Sequence, residues 1–231
     1  MSTAPESHIG VWVIVAAFNE GRVISDVVRP LVREGYAVVV VDDGSRDDTA
    51  ALAGAAGAAT LRHAINRGQG AALQSGLRYA LDQGARLLVT FDADGQHSVD
   101  DVPRLLEPIL DGRADIVLGS RFLENATAVP PARRLLLRAA IAFTRFVSGM
   151  RLTDAHNGMR ALSRRAAEQL DLRLDRMAHA SEIIDQIART GLPITEVPVA
   201  IRYTSYSLSK GQRAGHAARI AWEYLFSKIN S

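Results

Sequence analysis

The stretch Leu87-Leu88-Val89-Thr90-Phe91-Asp92-Ala93-Asp94-Gly95-Gln96-His97 decides the architecture. Its first five residues make a short β-favouring run, the pattern of a strand buried on both faces of a parallel sheet. Polar side chains begin where the run stops, which puts them at the carboxyl end of the strand, where open α/β sheets place their ligands. Residues two apart in extended chain project to the same side, so Asp92 and Asp94 can face one point. Two carboxylates and the Gln96 amide oxygen form a hard-oxygen set suited to Mg²⁺ or Mn²⁺ shared with a phosphate. The motif points to an enzyme handling a nucleotide diphosphate.

Working outward, the same rhythm repeats on both sides of this strand. Val11–Ala17 is a β-rich run ending at Phe18-Asn19-Glu20-Gly21, followed by a helical pattern to Glu34. A second strand, Ala37–Val41, ends in Asp42-Asp43-Gly44-Ser45. Ser45 with Asp48 has capping-box spacing for an Ala-rich helix to Ala56. A third strand at Ala59–Arg62 leads to Asn66-Arg67-Gly68-Gln69-Gly70 and a helix to Gln83. Beyond the central motif come a helix over Val99–Leu110 and a strand at Ile116–Leu118. Strands separated by helices of about ten to fifteen residues predict right-handed βαβ units and an α/β fold with a Rossmann-like, mainly parallel sheet flanked by helices. After Arg121 the rhythm changes: helices are expected near Arg164–Leu170 and Ser181–Arg189, a short β pair at Ile194–Val197 and Val199–Tyr203, and a last helix near Ala214–Ile229. This predicts one domain over 1–231, with a nucleotide-binding half at 1–121 and an acceptor-side half at 122–231.

Bulk properties narrow the class. The chain has 231 residues, 48% hydrophobic and 23% charged, ordinary values for a globular protein with a sizeable core. A net charge of +2 gives no argument for a nucleic-acid partner. With no cysteine there is no disulfide framework and no thiolate metal site, which suits a reducing, cytoplasmic setting. The first residues lack the basic and apolar regions of a signal peptide, and no stretch reaches the roughly 18 apolar residues of a membrane span.

Acids therefore stand at the ends of the first, second and fourth strands: Glu20, Asp42 with Asp43, and Asp92 with Asp94. Taken singly, Asp42-Asp43-Gly44 and the glycine-rich 66–70 loop suit plain turns equally well. The ordered set FNE (18–20), VVDDGS (40–45), NRGQGAAL (66–73), DADGQH (92–97), GSRF (119–122) and DAHNGMR (154–160) is far more specific. It resembles the family 2 glycosyltransferases of the GT-A fold, of the dolichol- or polyprenyl-phosphate mannosyltransferase type. The resemblance implies a donor-nucleotide set of Ala17, Asn19, Glu20, Asp43, Arg67, Gly70, Asp92 and Ala93. It further implies metal ligation by Asp94 and Gln96 with help from Asp92, and phosphate neutralisation by Arg121. Two positions depart from the family pattern: Ala16-Ala17 replaces its Pro-containing pair, and Gln69 replaces the usual lysine, leaving Arg67 as the cation of that loop.

The donor implied is a UDP-, GDP- or dTDP-linked sugar; the acceptor is open. Asp154 serves as general base if a saccharide hydroxyl attacks. With a lipid phosphate acceptor, already anionic, it becomes an orienting group, with Arg160, Arg202 and Lys210 as phosphate contacts. A helix over 133–150 places Arg134, Arg138 and Arg145 within about 40° of each other at roughly 100° per residue, opposite an apolar sector. That pattern fits both a peripheral membrane-surface helix and one packed on the domain with a solvated basic edge. A nucleotide-binding module without catalysis is the rival from another class, opposed by the acids at all those strand ends.

Overall fold

The computed structural model describes residues 10–123, 145, 149–154, 157–172 and 179–202. Its strands are β1 (Val11–Ala17), β2 (Ala37–Asp42), β3 (Ala59–Arg62), β4 (Leu87–Asp92), β5 (Ile116–Ser120), β6 (Arg160–Ser163) and β7 (Ile194–Pro198). The helices are α1 (Ile24–Arg33), α2 (Thr49–Ala55), α3 (Gln69–Asp82), α4 (Val102–Leu110, entered through a 3₁₀ turn at Val99–Asp101), α5 (Arg164–Ala167) and α6 (His179–Thr190). One sheet runs in the order β3-β2-β1-β4-β6-β5-β7. Every neighbouring pair is parallel except those made by β6, which lies antiparallel between β4 and β5.

Both faces are covered, which is why the central strands are apolar without alternation. Val11, Val13 and Val15 of β1 pack with Ile24, Val28 and Leu31 of α1 and Leu105 of α4. Ile14, on the opposite face, packs with Leu73 and Leu77 of α3, and that layer continues to Ile183, Ile184 and Ile187 of α6. Gly76 lets α3 lie close: a Cβ there would stand 2.4 Å from Ile14 Cγ2.

The predicted first half agrees with these elements to within a few residues. Two expectations change. Described residues 194–202 hold no β pair; Ile194–Pro198 instead joins the sheet in parallel to β5, beginning at Ile116↔Ile194. Nor does Ser45 cap α2: the cap residue is Asp48, without a side-chain bond, and Ser45 Oγ accepts the Asn19 N–H at 2.8 Å. The 133–148 stretch apart from residue 145, the 203–210 segment with Lys210, and the last helix lie outside the described residues. Among the described residues no helix is long and apolar enough to cross a membrane.

Candidate active site

The order β3-β2-β1-β4 reverses direction between β1 and β4, so a crevice opens at their carboxyl ends. Ala16 and Asp92 are register partners across that gap. Glu20 follows β1, buried, with its N–H donating to Thr49 Oγ1 at 2.9 Å. Asn19 adopts a left-handed φ of 54°, a conformation that asparagine tolerates. Its Oδ1 accepts the Arg46 N–H at 2.9 Å, so the loops after β1 and β2 are stitched together. Ala17 joins them too, its carbonyl accepting the Asp43 N–H at 2.8 Å.

Three carboxylates influence one another here. Burial raises the Asp94 carboxyl above its ordinary value, and the neighbouring charges of Asp92 and Glu20 push the same way. The Gln96 N–H, 3.1 Å from Asp94 Oδ1, opposes the rise. Asp92 is held more tightly. Gln69 Nε2 donates to its Oδ1 at 3.3 Å and His97 Nε2 to its Oδ2 at 2.9 Å. The His97 ring is buried and edge-on to Phe91, with centroids 5.3 Å apart. Gly158 closes the third side, since a Cβ there would fall 2.3 Å from either Asp92 oxygen. Thr90 Oγ1 donates to the Gly158 carbonyl at 2.6 Å and pins that backbone. Ala93 is buried behind the pair.

Asp43 does not stand open at the rim. Its Oδ1 accepts Arg67 N–H at 2.9 Å and His63 Nδ1–H at 2.7 Å; its Oδ2 accepts Gly68 N–H at 2.6 Å. It therefore shapes the glycine-rich loop that leads through Gly68 into α3, where Gly70 is buried, while the Arg67 side chain is exposed.

After β5, Arg121 and Asp154 form a buried ion pair. Both the backbone N–H and Nε of Arg121 reach Asp154 Oδ2, at 3.1 and 2.5 Å. Glu196 of β7 fixes the segment from below, accepting the Thr153 and Asp154 N–H groups. Arg160, at the start of β6 and opposite Thr90, is buried. Burial pulls its guanidinium below the ordinary value, and the charges of Asp92 and Asp154 pull it back. Beside it Asn157 Oδ1 accepts the Met159 N–H while its buried Nδ2 has no partner among the described residues. The Arg202 side chain is exposed, and its N–H donates to the Gln96 carbonyl at 2.8 Å, which draws the 199–202 segment against the 94–97 loop.

The sequence thus named the acids and arginines but missed their supports: His63, Gln69, His97, Gly158 and Glu196. Only the lone histidine beside the acids carried a local signal; the other contacts join residues far apart in the chain.

A mainly parallel sheet with an antiparallel insert beside a carboxylate-lined switch point defines a GT-A type glycosyltransferase. The chain belongs to glycosyl transferase family 2, whose family model matches residues 12–171. It is 31% identical to a UDP-N-acetylglucosamine–dolichyl-phosphate N-acetylglucosaminyltransferase of Methanococcus voltae, over 95% of this chain and 96% of the relative. It is 33% identical to a polyprenol monophosphomannose synthase of Mycolicibacterium smegmatis, over 75% of this chain and 69% of the relative. In fold it resembles glucosyl-3-phosphoglycerate synthase of Mycobacterium tuberculosis, crystallised with Mn²⁺, uridine diphosphate and phosphoglyceric acid. The TM-score is 0.70 at 23% identity, covering 95% of this chain and 77% of that one.

Proposed function

We propose that the protein moves a sugar, with inversion, from a nucleotide-diphosphate donor to a polyprenyl phosphate, using a divalent cation. The observation that carries this reading is the crowding of Asp94 by Asp92 and Glu20 at the switch point. Like charges held together in a partly buried cleft favour a bound cation. The donors present fit Mg²⁺ or Mn²⁺: hard oxygens from Asp94 and Gln96, with Asp92 alongside. These residues would hold the cation together with a bound diphosphate. When bound, such a cation would supply Lewis-acid stabilisation of the departing diphosphate.

The chain's own residues supply the rest of the reading. Asp92, oriented by His97 and Gln69, faces the donor; Glu20 and the loop anchored by Asp43 line the nucleoside; Arg67 stands over the phosphates. The acceptor oxygen attacks the anomeric carbon opposite the leaving diphosphate, breaking the sugar–phosphate bond. Asp154 is already occupied by Arg121, which suits an orienting acid better than a free base, and a phosphate nucleophile needs no base. Arg121, Arg160, Arg202 and Lys210 would then meet acceptor or leaving-group phosphate. The two halves, 1–121 and 122–231, act as one domain in this reading. A polyprenyl acceptor sits in a bilayer, so the work is peripheral, at the cytoplasmic membrane face, with 133–150 as the contacting segment.

The test is transfer from a panel of UDP-, GDP- and dTDP-sugars with Mn²⁺ to a short polyprenyl phosphate and to free saccharides, with wild type and Asp154→Asn. Asn keeps a partner for Arg121 but removes the carboxylate. Phosphate transfer should survive within about tenfold, whereas loss of a general base costs about 10²–10⁴-fold. Transfer to saccharides alone, abolished by Asp154→Asn, would overturn the phosphate acceptor.

A further inference from the structure

Asp43, which anchors the glycine-rich loop, is itself held by two side chains, His63 and Ser75, that take no part in the mechanism above. His63, just past β3, places Nδ1 2.7 Å from Asp43 Oδ1 and Nε2 2.9 Å from Ser75 Oγ on α3. A carboxylate only accepts, so Nδ1 carries the proton, and in the neutral ring Nε2 accepts from the Ser75 hydroxyl. The ring is fixed from its backbone as well, His63 N–H donating to the Asp42 carbonyl at 2.9 Å. An Asp-His-Ser order also describes nucleophilic relays. Here Ser75 lies in the middle of α3, whose N–H groups are spent within the helix and offer no oxyanion donors. The Asp43 side chain is only 4% exposed, with the loop's N–H groups and His63 already on it.

What the arrangement can do is hold a shape. Gly68 needs a φ of 96°, and its N–H and that of Arg67 both end on Asp43. The next residue, Gln69, reaches Asp92. Asp43 is thus the peg on which the loop hangs, and His63 is the group that stops the peg from turning, by bracing it against α3. We propose that His63, seconded by Ser75, is a positioning residue for donor binding in the transfer reaction. The inference rests on the reading that the 66–69 loop borders the nucleotide sugar. Because His63 touches neither the reacting carbon nor the crowded carboxylates, its loss should weaken donor binding and spare the chemical step.

Replacement by two amides separates positioning from mere support. In His63→Asn the amide nitrogen sits where Nδ1 was and can still donate to Asp43. In His63→Gln it reaches instead toward Ser75. Donor KM and kcat would be measured on the full chain with a nucleotide sugar that wild type turns over, alongside thermal unfolding. His63→Asn should keep donor KM within about threefold of wild type. His63→Gln and His63→Ala should raise it about tenfold, or 1.4 kcal/mol, with kcat changed less than about twofold. Ser75→Ala should raise donor KM about threefold, the smaller effect of a neutral hydrogen bond. Equal behaviour of the Asn and Gln variants, or a lowered melting temperature without any change in donor KM, overturns the proposal. Should His63→Ala fail to fold, the Asn–Gln comparison decides. If wild type turns over no nucleotide sugar, the donor reading itself has failed and takes this inference with it; normal wild-type turnover with insensitive variants sinks the inference alone.

Discussion

Asp94 and Asp92 sit two residues apart, yet their surroundings give them different work. Asp92 is gripped by His97, Gln69 and the bare backbone of Gly158, whereas Asp94 meets mainly other negative charge. A carboxyl raised by burial and like charges binds its proton more tightly in the folded chain than in the unfolded one. Its ionisation at neutral pH therefore costs folded stability, and the cost appears as pH rises through the ordinary carboxylate range. Asp94→Asn removes that cost, so the variant should melt at or above the wild-type temperature at pH 7. Its turnover should fall by about a hundredfold or more, the scale of losing one contact aimed at developing charge. Near-wild-type turnover in Mn²⁺ would remove Asp94 from the cation site. Gly158→Ala tests Asp92 in the same way. A Cβ 2.3 Å from both oxygens must displace the carboxylate or the 157–159 backbone. The expectation is a fall in kcat of about tenfold or more, in line with the sensitivity of reacting geometry to shifts near 1 Å. An unchanged kcat would show that Asp92 needs no fixed position.

At the scale of elements, α3 packs closely on β1. Ile14 is fully buried, and Gly76 is the only residue type that leaves room for its Cγ2 at that distance. Gly76→Ala gains about 1 kcal/mol of helix propensity but overpacks the interface, which costs about 1–3 kcal/mol or more when backbone must shift. A lower urea midpoint with an unchanged denaturant slope is the expected result; a higher midpoint would mean that α3 relaxes freely. The strands on either side of this contact could be read from the sequence because each is apolar along its length and ends in polar residues, as Val11–Ala17 and Leu87–Asp92 do. β6 could not: Arg160-Ala161-Leu162-Ser163 is short, begins with a buried arginine, and is a strand only because β4 and β5 flank it. β7 was legible as a strand, but its partner, 78 residues earlier at Ile116, was not. The site divides in the same way. Carboxylates at strand ends announce themselves locally, while the hydrogen bonds that aim them, such as Gln69 to Asp92 across 23 residues, depend on the fold. Ser45 shows the converse error, a local capping pattern whose hydroxyl is claimed by a loop 26 residues away.

For the whole molecule, the sheet order sets two charged constellations side by side, with Arg160 close enough to feel the charges of both Asp92 and Asp154. Glu20, Asp92 and Asp94 stand by β1 and β4, and Arg121, Asp154 and Arg160 stand by β5 and β6. The proposed transfer requires a donor and cation to bind together, each relieving the other's charge. Ligands that bind only the folded state add RT ln(1 + [L]/Kd), about 2.7 kcal/mol at a hundredfold excess over Kd. At roughly 2–4 °C per kcal/mol for a chain of this size, the right nucleotide sugar with Mn²⁺ should raise the melting temperature by about 5–10 °C. Chelation should remove most of that shift, and Asp94→Asn should do the same with Mn²⁺ present. Asp154→Asn should keep the shift, because Asp154 pairs with Arg121 and is not among the charges that crowd Asp94. A shift that survives both chelation and Asp94→Asn would place the nucleotide away from the β1–β4 switch point. A shift lost in Asp154→Asn as well would mean that the two constellations form one donor site and leave the acceptor without its assigned place.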